Sequence, residues 1–490
     1  MLPLSQTPEI PLAWRWECAM AAENTTGDAG YLTENDSLMW TIESDPHLRS
    51  TTVGVIVLKK VPDWDEVVAR MERVTHSVPI LRQRVVNPPL HPRTQRWVWD
   101  TEFDLSYHLR RVRLPDPGGF DDLLEMAATI SEGAFDRARP LWEFTLVEGL
   151  HDVEGAKSEA AALVTKVHHV VSDGIGAVQL FAHLFDFEKD PDGSAIPAVP
   201  QGIDEVVPSS LELWLDALGR DTSNLVDASR NTARGVLPTL GRAVRDPRGV
   251  FHDVSELVAS VGRTVAPVRE RLSPVMTDRN MARRFDVLEV PFADLRAAAK
   301  AADGKLNDAF LAGITGGLRR YHEKHGASVD ELRVAMPISL RTADHEAGGN
   351  HVTVMRFKVP IGEEPSDQIQ DLHEVGAKIR AEKSIPHTET IAGVLNLMPS
   401  GVLGSMMKRM DFLASNVPGI DIPMYLAGAK VLQFYPYGPT AGSAVNITLM
   451  SYNRTCAMGV NIDTGAIPDG DEFMACLKAG FDDVLALHEG

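Results

Sequence analysis

At 490 residues the chain is too long for one compact core, so two domains are expected. A formal net charge of −20 argues against a general nucleic-acid-binding protein, because a duplex would repel it. The three cysteines are far apart and odd in number, which favours core thiols in a reducing compartment over a disulfide framework. Neither a secretory signal nor the ~18 uninterrupted apolar residues of a membrane span is present, so we expect a cytoplasmic protein whose membrane contacts are peripheral.

The first 150 residues alternate between strand-like and helix-like patterns. Period-two alternation predicts a strand at 51–60, and apolar residues at helical spacing predict a helix at 64–74. The same criteria predict further strands at 80–86, 96–100 and 107–114 and a helix at 120–133. Pro140, Leu141 and Trp142 follow; we interpret Pro140 as the start of a strand and Trp142 as a core residue, because large aromatic side chains mostly stabilise by burial.

Two adjacent histidines, His168 and His169, end an apolar run at 160–167 and precede an amphipathic run at 175–187. This order predicts a strand, a polar turn and a helix. Successive side chains of a strand point to opposite sides, so only one imidazole can face a given cleft. An imidazole with a pKa of about 6.5 suits general base catalysis, and Asp173 could orient the loop or an imidazole.

Adjacent histidines are also typical of a metal site or of an ordinary polar turn. The metal interpretation lacks support, because neither an HExxH nor a CxxC pattern accompanies the pair. We therefore predict no metal site. The residues alone leave the choice between catalysis and a polar turn open.

A Pro/Gly/Asp-rich stretch at 190–208 predicts a linker, followed by amphipathic helices at 211–218 and 254–261. Residues 220–284 hold 12 arginines, no lysine and 7 acidic residues, a local charge of +5. This segment would suit an anionic membrane or lipid-droplet surface. We favour the alternative of inter-domain helices with solvated basic faces.

The second half predicts a strand at 285–291, a helix at 294–302 and a long helix that ends at Gly326. Asn307 is a natural N-cap for the long helix, and Asp308 is an acid in its first turn. A strand at 333–340 ends at Arg341 and a second strand covers 351–359. The remaining predictions are helices at 367–384, 391–410 and 468–487 and one antiparallel set of strands at 430–437, 444–452 and 455–463.

The pattern His-His-x-x-x-Asp-Gly, from His168 to Gly174, resembles the signature of acyltransferases related to chloramphenicol acetyltransferase and to the condensation domains of peptide synthetases. Further segments resemble the bacterial wax ester synthase/diacylglycerol acyltransferase family, and the resemblance spans about 32–487. They are LTENDSLMW at 32–40, Pro140-Leu141-Trp142, Asn307-Asp308, RVAMPISL before Arg341, and Ser415-Asn416-Val417-Pro418-Gly419.

This resemblance implies an α+β, two-domain fold of the chloramphenicol acetyltransferase type, with mixed sheets and a tunnel between the domains. The N-terminal domain would cover 1–200 and carry the histidine motif, a helical linker would cover 201–284, and the C-terminal domain would cover 285–490.

The resemblance also implies roles for individual residues. The second histidine of the motif, His169, would be the catalytic base, with His168 and Asp173 completing the catalytic group. Gly174 would shape the loop, and Arg341 would hold Asp173. Asn307 and Asp308 would line the tunnel, and Ser415 and Asn416 would lie in a substrate-binding loop that steadies an oxyanion or the CoA.

The implied function is O-acyl transfer from acyl-CoA, a substrate rather than a permanently bound cofactor, to diacylglycerol and also to long-chain alcohols. Diacylglycerol is preferred because the best-matching segments resemble actinobacterial members linked to storage triacylglycerol. Two alternatives stay open: a condensation-type transferase that takes its acyl group from a carrier protein, and a noncatalytic lipid-binding relative. The protein would be cytoplasmic, with the inner membrane or lipid droplets as peripheral locations, and no nucleic acid or metal is expected as a partner.

Overall fold

The computed structural model describes residues 30–87, 95–171, 183–189, 212, 270–339, 352–381, 409–420 and 422–488. The helices are α1 Glu34–Ile42, α2 Trp64–Ser77, α3 Leu105–His108, α4 Phe120–Glu132, α5 Phe292–Ala301, α6 Leu306–Lys324, α7 Pro365–Arg380 and α8 Gly470–Leu485. The strands are β1 Thr51–Leu58, β2 Gln83–Val86, β3 Arg96–Trp99, β4 Leu109–Arg113, β5 Trp142–Leu150, β6 Ala160–His168, β7 Arg283–Pro291, β8 Glu331–Ser339, β9 Val352–Pro360, β10 Phe412–Ile420, β11 Tyr425–Leu426, β12 Ala429–Tyr437, β13 Val445–Tyr452 and β14 Thr455–Asp463.

The first large sheet has the order β11-β12-β1-β6-β5-β4 and is antiparallel except for the β4/β5 pair. Strand β6 lies inside this sheet, and all of its residues are buried. Its alternate side chains enter two different apolar clusters, with Ala161 and Leu163 on one side and Ala162 and Val164 on the other. A strand covered on both faces reads as a continuous apolar run, which explains the pattern at 160–167.

The second large sheet has the order β7-β14-β13-β10-β8-β9. Strand β10 pairs in parallel with both β13 and β8, whereas the outer pairs are antiparallel. Helices α5, α6, α7 and α8 contribute to the same buried cluster as the strands of this sheet. The predicted α+β architecture with mixed sheets is thus confirmed; the tunnel between the domains stays a prediction.

The predicted antiparallel set at the end of the chain is wrong in one strand. Strands β13 and β14 pair as expected, but β12 pairs with β1 in the first sheet, from Val53 opposite Tyr437 to Leu58 opposite Val431. Strand propensity does not encode which sheet edge a strand joins. Because β11 and β12 belong to the first sheet, the two sheets do not divide the chain simply at residue 285.

Two predicted strands near the N-terminus begin with helical turns instead. A 3-10 helix at Pro79–Arg82 precedes β2, and α3 precedes β4. The Asp104 carboxylate accepts a hydrogen bond from the Ser106 amide and caps α3, a local interaction that strand patterning cannot register.

The long helix α6 begins two residues earlier than predicted, so Asn307 is not its N-cap. The cap is Lys305, whose amide donates to Asp308 Oδ2 at 2.9 Å. Asp308 does lie in the first turn, as predicted, and its carboxylate there performs the reciprocal half of a capping box.

The segment from Ser415 to Gly419, predicted as a loop, is part of strand β10. A β-bulge interrupts its pairing with β13 between Val417 and Ile420. A Cβ atom on Gly419 would lie 1.7 Å from the Ser451 carbonyl oxygen, so only glycine permits this approach of the two strands.

Apart from Glu212 and the last two residues of 391–410, the predicted helices at 211–218, 254–261 and 391–410 lie outside the described residues, as does most of the linker and basic segment. Of the cysteines, Cys456 and Cys476 are buried free thiols. Within the described parts of the chain, no helix is long and apolar enough to cross a membrane. The same parts contain no group of three or more histidine, cysteine, aspartate or glutamate residues that could hold a metal ion.

Candidate active site

The histidine pair lies where β6 ends between its two neighbouring strands. The His168 amide donates to the Leu141 carbonyl oxygen at 3.0 Å, and the His169 amide donates to the Ser50 carbonyl oxygen at 2.8 Å. The chain then turns, and the Val171 amide donates to the His168 carbonyl oxygen at 2.9 Å. The backbone at His168 and His169 is therefore fixed by hydrogen bonds to Leu141, which precedes β5, and to Ser50, which precedes β1.

Both ring nitrogens of His168 are engaged by the protein. Nε2 lies 2.7 Å from Glu43 Oε1, and Nδ1 accepts the Val170 amide at 3.1 Å. Because Nδ1 accepts a hydrogen bond from the Val170 amide, Nε2 is the nitrogen that donates to the carboxylate. The side chain is 1% exposed, with the rings of Trp40 and Phe135 each 5.8 Å from its own. His168 thus has no nitrogen with which to take a proton from a substrate.

Glu43 lies at the C-terminal end of α1, and its carboxylate has three partners. Oε1 accepts the His168 ring and the Ser50 amide, the latter at 2.6 Å, and Oε2 lies 3.5 Å from Nη2 of Arg137. Burial would raise the pKa of the Glu43 carboxyl, but the hydrogen bond from His168 and the charges and amide around it outweigh burial and hold the pKa below its ordinary value. The carboxylate is therefore ionised at neutral pH.

His169 is half-buried, and the two residues that follow it enter an apolar cluster between the sheets. Val170 and Val171 share this cluster with Ile420, at the end of β10, and with Tyr452, at the end of β13. The turn after His169 and Ile420, which follows the Ser415–Gly419 segment, therefore contribute to the same apolar cluster. Asp173, Gly174 and Arg341 lie outside the described residues, so the predicted pairing of Asp173 with Arg341 stays a prediction.

A cavity of about 260 Å³ opens beside His168. Its walls include Trp40, Glu43, Arg49, Phe135, Arg137 and His168. The Arg137 guanidinium lies 4.2 Å from the centre of the Trp40 ring, a cation–π contact. The described residues thus place aromatic walls and two guanidinium groups next to the histidine pair.

The Pro140-Leu141-Trp142 block supports the histidines through its backbone and the core through its side chains. The Leu141 carbonyl oxygen accepts the hydrogen bond from the His168 amide, and Leu141 also borders the cavity. Trp142 is 0% exposed, and its Nε1 donates to the Leu81 carbonyl oxygen at 2.8 Å. The core interpretation of Trp142 agrees with these contacts.

The Asn307-Asp308 pair has structural partners. Besides the Lys305 amide, Asp308 Oδ2 accepts Nδ1 of His373 at 2.7 Å, and Asp308 is buried. Asn307 is half-buried, and its Nδ2 lies 3.8 Å from the sulfur of Met336 on β8. These contacts explain Asp308 as a capping residue, and its role at the tunnel stays a prediction.

Ser415 and Asn416 are half-buried on β10, where they lie opposite Thr448 and Leu449 of β13. The same strand ends at Ile420, which belongs to the apolar cluster that also contains Val170 and Val171. The contact of Ser415 and Asn416 with a substrate stays a prediction, now from a strand rather than a loop.

Sequence reasoning missed Glu43, Arg49 and Arg137. Glu43 and His168 are 125 residues apart, so no local pattern joins them. A carboxylate at the C-terminal end of a helix is disfavoured by the helix dipole, but no helix was predicted at 34–42, so this signal becomes visible only once α1 is known.

The two mixed sheets with a histidine pair at the end of a central strand define a protein of the chloramphenicol acetyltransferase-like class. The wax ester synthase/diacylglycerol acyltransferase of Marinobacter aquaeolei VT8 shares this fold, with a TM-score of 0.60 and 21% identity over 94% of this chain and 100% of the other. The first condensation domain of the calcium-dependent antibiotic synthetase also shares it, with a TM-score of 0.57 and 13% identity over 95% and 98%.

The chain belongs to the wax ester synthase/diacylglycerol acyltransferase family. Residues 32–310 match the model of the catalytic domain of that family, and residues 348–484 match the model of its C-terminal domain. A Mycobacterium tuberculosis protein named as a diacylglycerol O-acyltransferase is 36% identical over 460 residues, which cover 93% of this chain and 91% of the relative. A second from the same organism, the diacylglycerol O-acyltransferase tgs1, is 27% identical over 94% of both chains.

Proposed function

We propose that this protein transfers a long-chain acyl group from acyl-CoA to the free hydroxyl of diacylglycerol, with His169 as the general base. Family membership and the names of the mycobacterial relatives support the reaction and the acceptor. Long-chain alcohols are a second acceptor class, which the name of the Marinobacter protein suggests.

The observation that carries the assignment of the base is the state of His168. Its two nitrogens are held by Glu43 and by the Val170 amide, so of the two adjacent imidazoles only His169 is a candidate for proton transfer. A base nitrogen must come within about 3 Å of the oxygen that carries the proton, and the half-buried His169 directly follows the end of β6, where a substrate could reach it.

In the proposed reaction, His169 takes the hydroxyl proton while the hydroxyl oxygen attacks the thioester carbon. The tetrahedral intermediate collapses, the carbon–sulfur bond breaks, and the protonated imidazole returns its proton to the CoA thiolate. The products are triacylglycerol and free CoA, and no covalent acyl-enzyme forms. Asp173, Gly174 and Arg341 are proposed to shape the loop that follows the base, and Ser415 and Asn416 to contact substrate from β10.

Because diacylglycerol resides in lipid phases, the protein would act at a membrane or lipid-droplet surface as a peripheral protein. Residues 220–284, with their local charge of +5, would suit such a surface, while the interpretation that we favour for them, inter-domain helices with solvated basic faces, needs no lipid contact.

The test is the release of CoA thiol from palmitoyl-CoA by the purified protein, with dioleoylglycerol, with hexadecanol and without an acceptor. We expect acceptor-dependent release, and we expect His169→Ala to lower the rate by about 10²–10⁴-fold, the usual contribution of a general base. The matched control is His151→Ala, because His151 lies in the loop before β6, at the opposite end of that strand from the pair.

Full activity in His169→Ala would refute the role of the base. Release that depends on neither acceptor would refute the acyltransferase assignment and would direct attention to acyl groups bound to carrier proteins or to lipid binding without catalysis.

A further inference from the structure

We propose that Glu43 is a positioning residue for His169: its carboxylate joins His168 to Ser50 and thereby fixes the turn that carries the base. The proposal rests on the proposed function, in which His169 is the base, and it adds a residue that lies outside the histidine motif.

The hydrogen bonds around Glu43 close into a ring. Glu43 Oε1 accepts the Ser50 amide at 2.6 Å, and the carbonyl oxygen of Ser50 accepts the His169 amide at 2.8 Å. A peptide bond joins His169 to His168, whose Nε2 lies 2.7 Å from the same Oε1. One oxygen atom therefore links the segment before β1 to the residue before the base.

His168 also constrains the two residues that follow His169. Its Nδ1 accepts the Val170 amide, and its carbonyl oxygen accepts the Val171 amide. With Nε2 held by Glu43, the imidazole cannot rotate without breaking the bond to Val170. The residues on both sides of His169 are thus fixed through His168.

The Glu43 carboxylate is itself fixed by its surroundings. Its side chain is 10% exposed, and Arg137, stacked on Trp40, faces its second oxygen. Hydrogen bonds to an ionised acceptor are roughly twice as strong as those between neutral groups. An acid at this helix end also opposes the dipole of α1, so helix stability alone gives no reason for a carboxylate here.

Replacing Glu43 by alanine removes the acceptor for both Ser50 and His168. We expect kcat to fall about 100-fold, the cost of a displacement of roughly 1 Å in a catalytic group, while the KM for palmitoyl-CoA stays within about threefold. Glu43→Gln keeps an acceptor oxygen at the same place without its charge, so its kcat should fall by only about tenfold.

The control is Glu143→Gln. Glu143, on β5, is also a mostly buried carboxylate in a charge pair, 3.6 Å from Lys166, and has a side chain that is 12% exposed. Neither the Ser50 amide nor His168 is its partner. Loss of this charge should lower thermal stability and leave kcat at the wild-type value.

Hydrogen exchange measured by mass spectrometry provides a readout that does not need activity. In Glu43→Ala we expect faster exchange in the peptides that contain Ser50 and the 169–171 amides, with wild-type rates in peptides from β13 and β14. Glu143→Gln should leave the exchange of those amides unchanged.

The outcomes separate the two proposals. Wild-type kcat in Glu43→Ala, an equal loss in Glu43→Gln and Glu43→Ala, or unchanged exchange at Ser50 and His169 would overturn the positioning role. If the wild-type protein itself transfers no acyl group, the proposed function fails, and the exchange experiment still decides whether Glu43 fixes the turn. The role would also be overturned if Glu43→Ala and Glu143→Gln lost activity to the same extent and each loss followed the decrease in melting temperature.

Discussion

Replacing Trp142 by phenylalanine separates a packing role of the Pro-Leu-Trp block from a chemical one. The indole is fully buried, stacks 4.7 Å from the His108 ring and donates to the Leu81 carbonyl oxygen. Phenylalanine fits the same site and keeps an aromatic ring, but it has no N–H group. The change therefore removes one buried hydrogen bond and leaves a small void.

The expected loss of stability can be estimated from these contacts. An unpaired buried carbonyl at Leu81 costs about 1–3 kcal/mol. The smaller ring removes packed atoms at about 0.8 kcal/mol for each methylene-sized group, so roughly 1–2 kcal/mol is added. Since 1 kcal/mol shifts the melting temperature of a domain of 150–250 residues by about 2–4 °C, we expect a decrease of about 4–20 °C.

The assay is thermal unfolding followed by intrinsic fluorescence, together with acyl transfer measured well below both melting temperatures. Phe144→Leu is the control, because it trims a fully buried aromatic residue on the same strand without removing a hydrogen-bond donor. The core interpretation predicts a lower melting temperature and a wild-type kcat for Trp142→Phe. A melting temperature within 2 °C of wild type combined with a tenfold loss of kcat would refute it.

Two further predictions concern buried polar groups. Asp308→Ala should destabilise the protein by about 1–2 kcal/mol, because alanine offers no acceptor to the Lys305 amide that caps α6, and kcat in the CoA-release assay should stay unchanged. A large loss of kcat at unchanged stability would instead place Asp308 in the tunnel. Burial lowers the pKa of both His108 and His322 below the ordinary 6.5, so the unfolded chain binds more protons, and the free energy of unfolding should fall as the pH decreases through about 6.5. Unfolding midpoints at pH 7.5 and 5.5 test this, and His108→Phe should show the smaller difference between them; an equal difference would contradict the reasoning.

One short stretch of sequence was enough to predict the position of the candidate catalytic histidines. His168 and His169 are adjacent in the chain, and the apolar run before them is bounded by a polar turn, so their place at a strand end followed from local pattern. The helical spacing at 64–74 and 120–133 likewise predicted α2 and α4, because an amphipathic helix records its buried face in its own periodicity.

Partners that are distant in sequence were decided only by the tertiary structure. Strand β12 directly precedes β13 and β14 in the chain, yet it pairs with β1 in the first sheet. The sequence distinguished the two histidines only through the resemblance of their motif. The structure adds a physical reason, because both ring nitrogens of His168 have partners, one of them Glu43, 125 residues away. Hydrogen bonds depend on positions in space, and composition and periodicity report only which face of an element is buried.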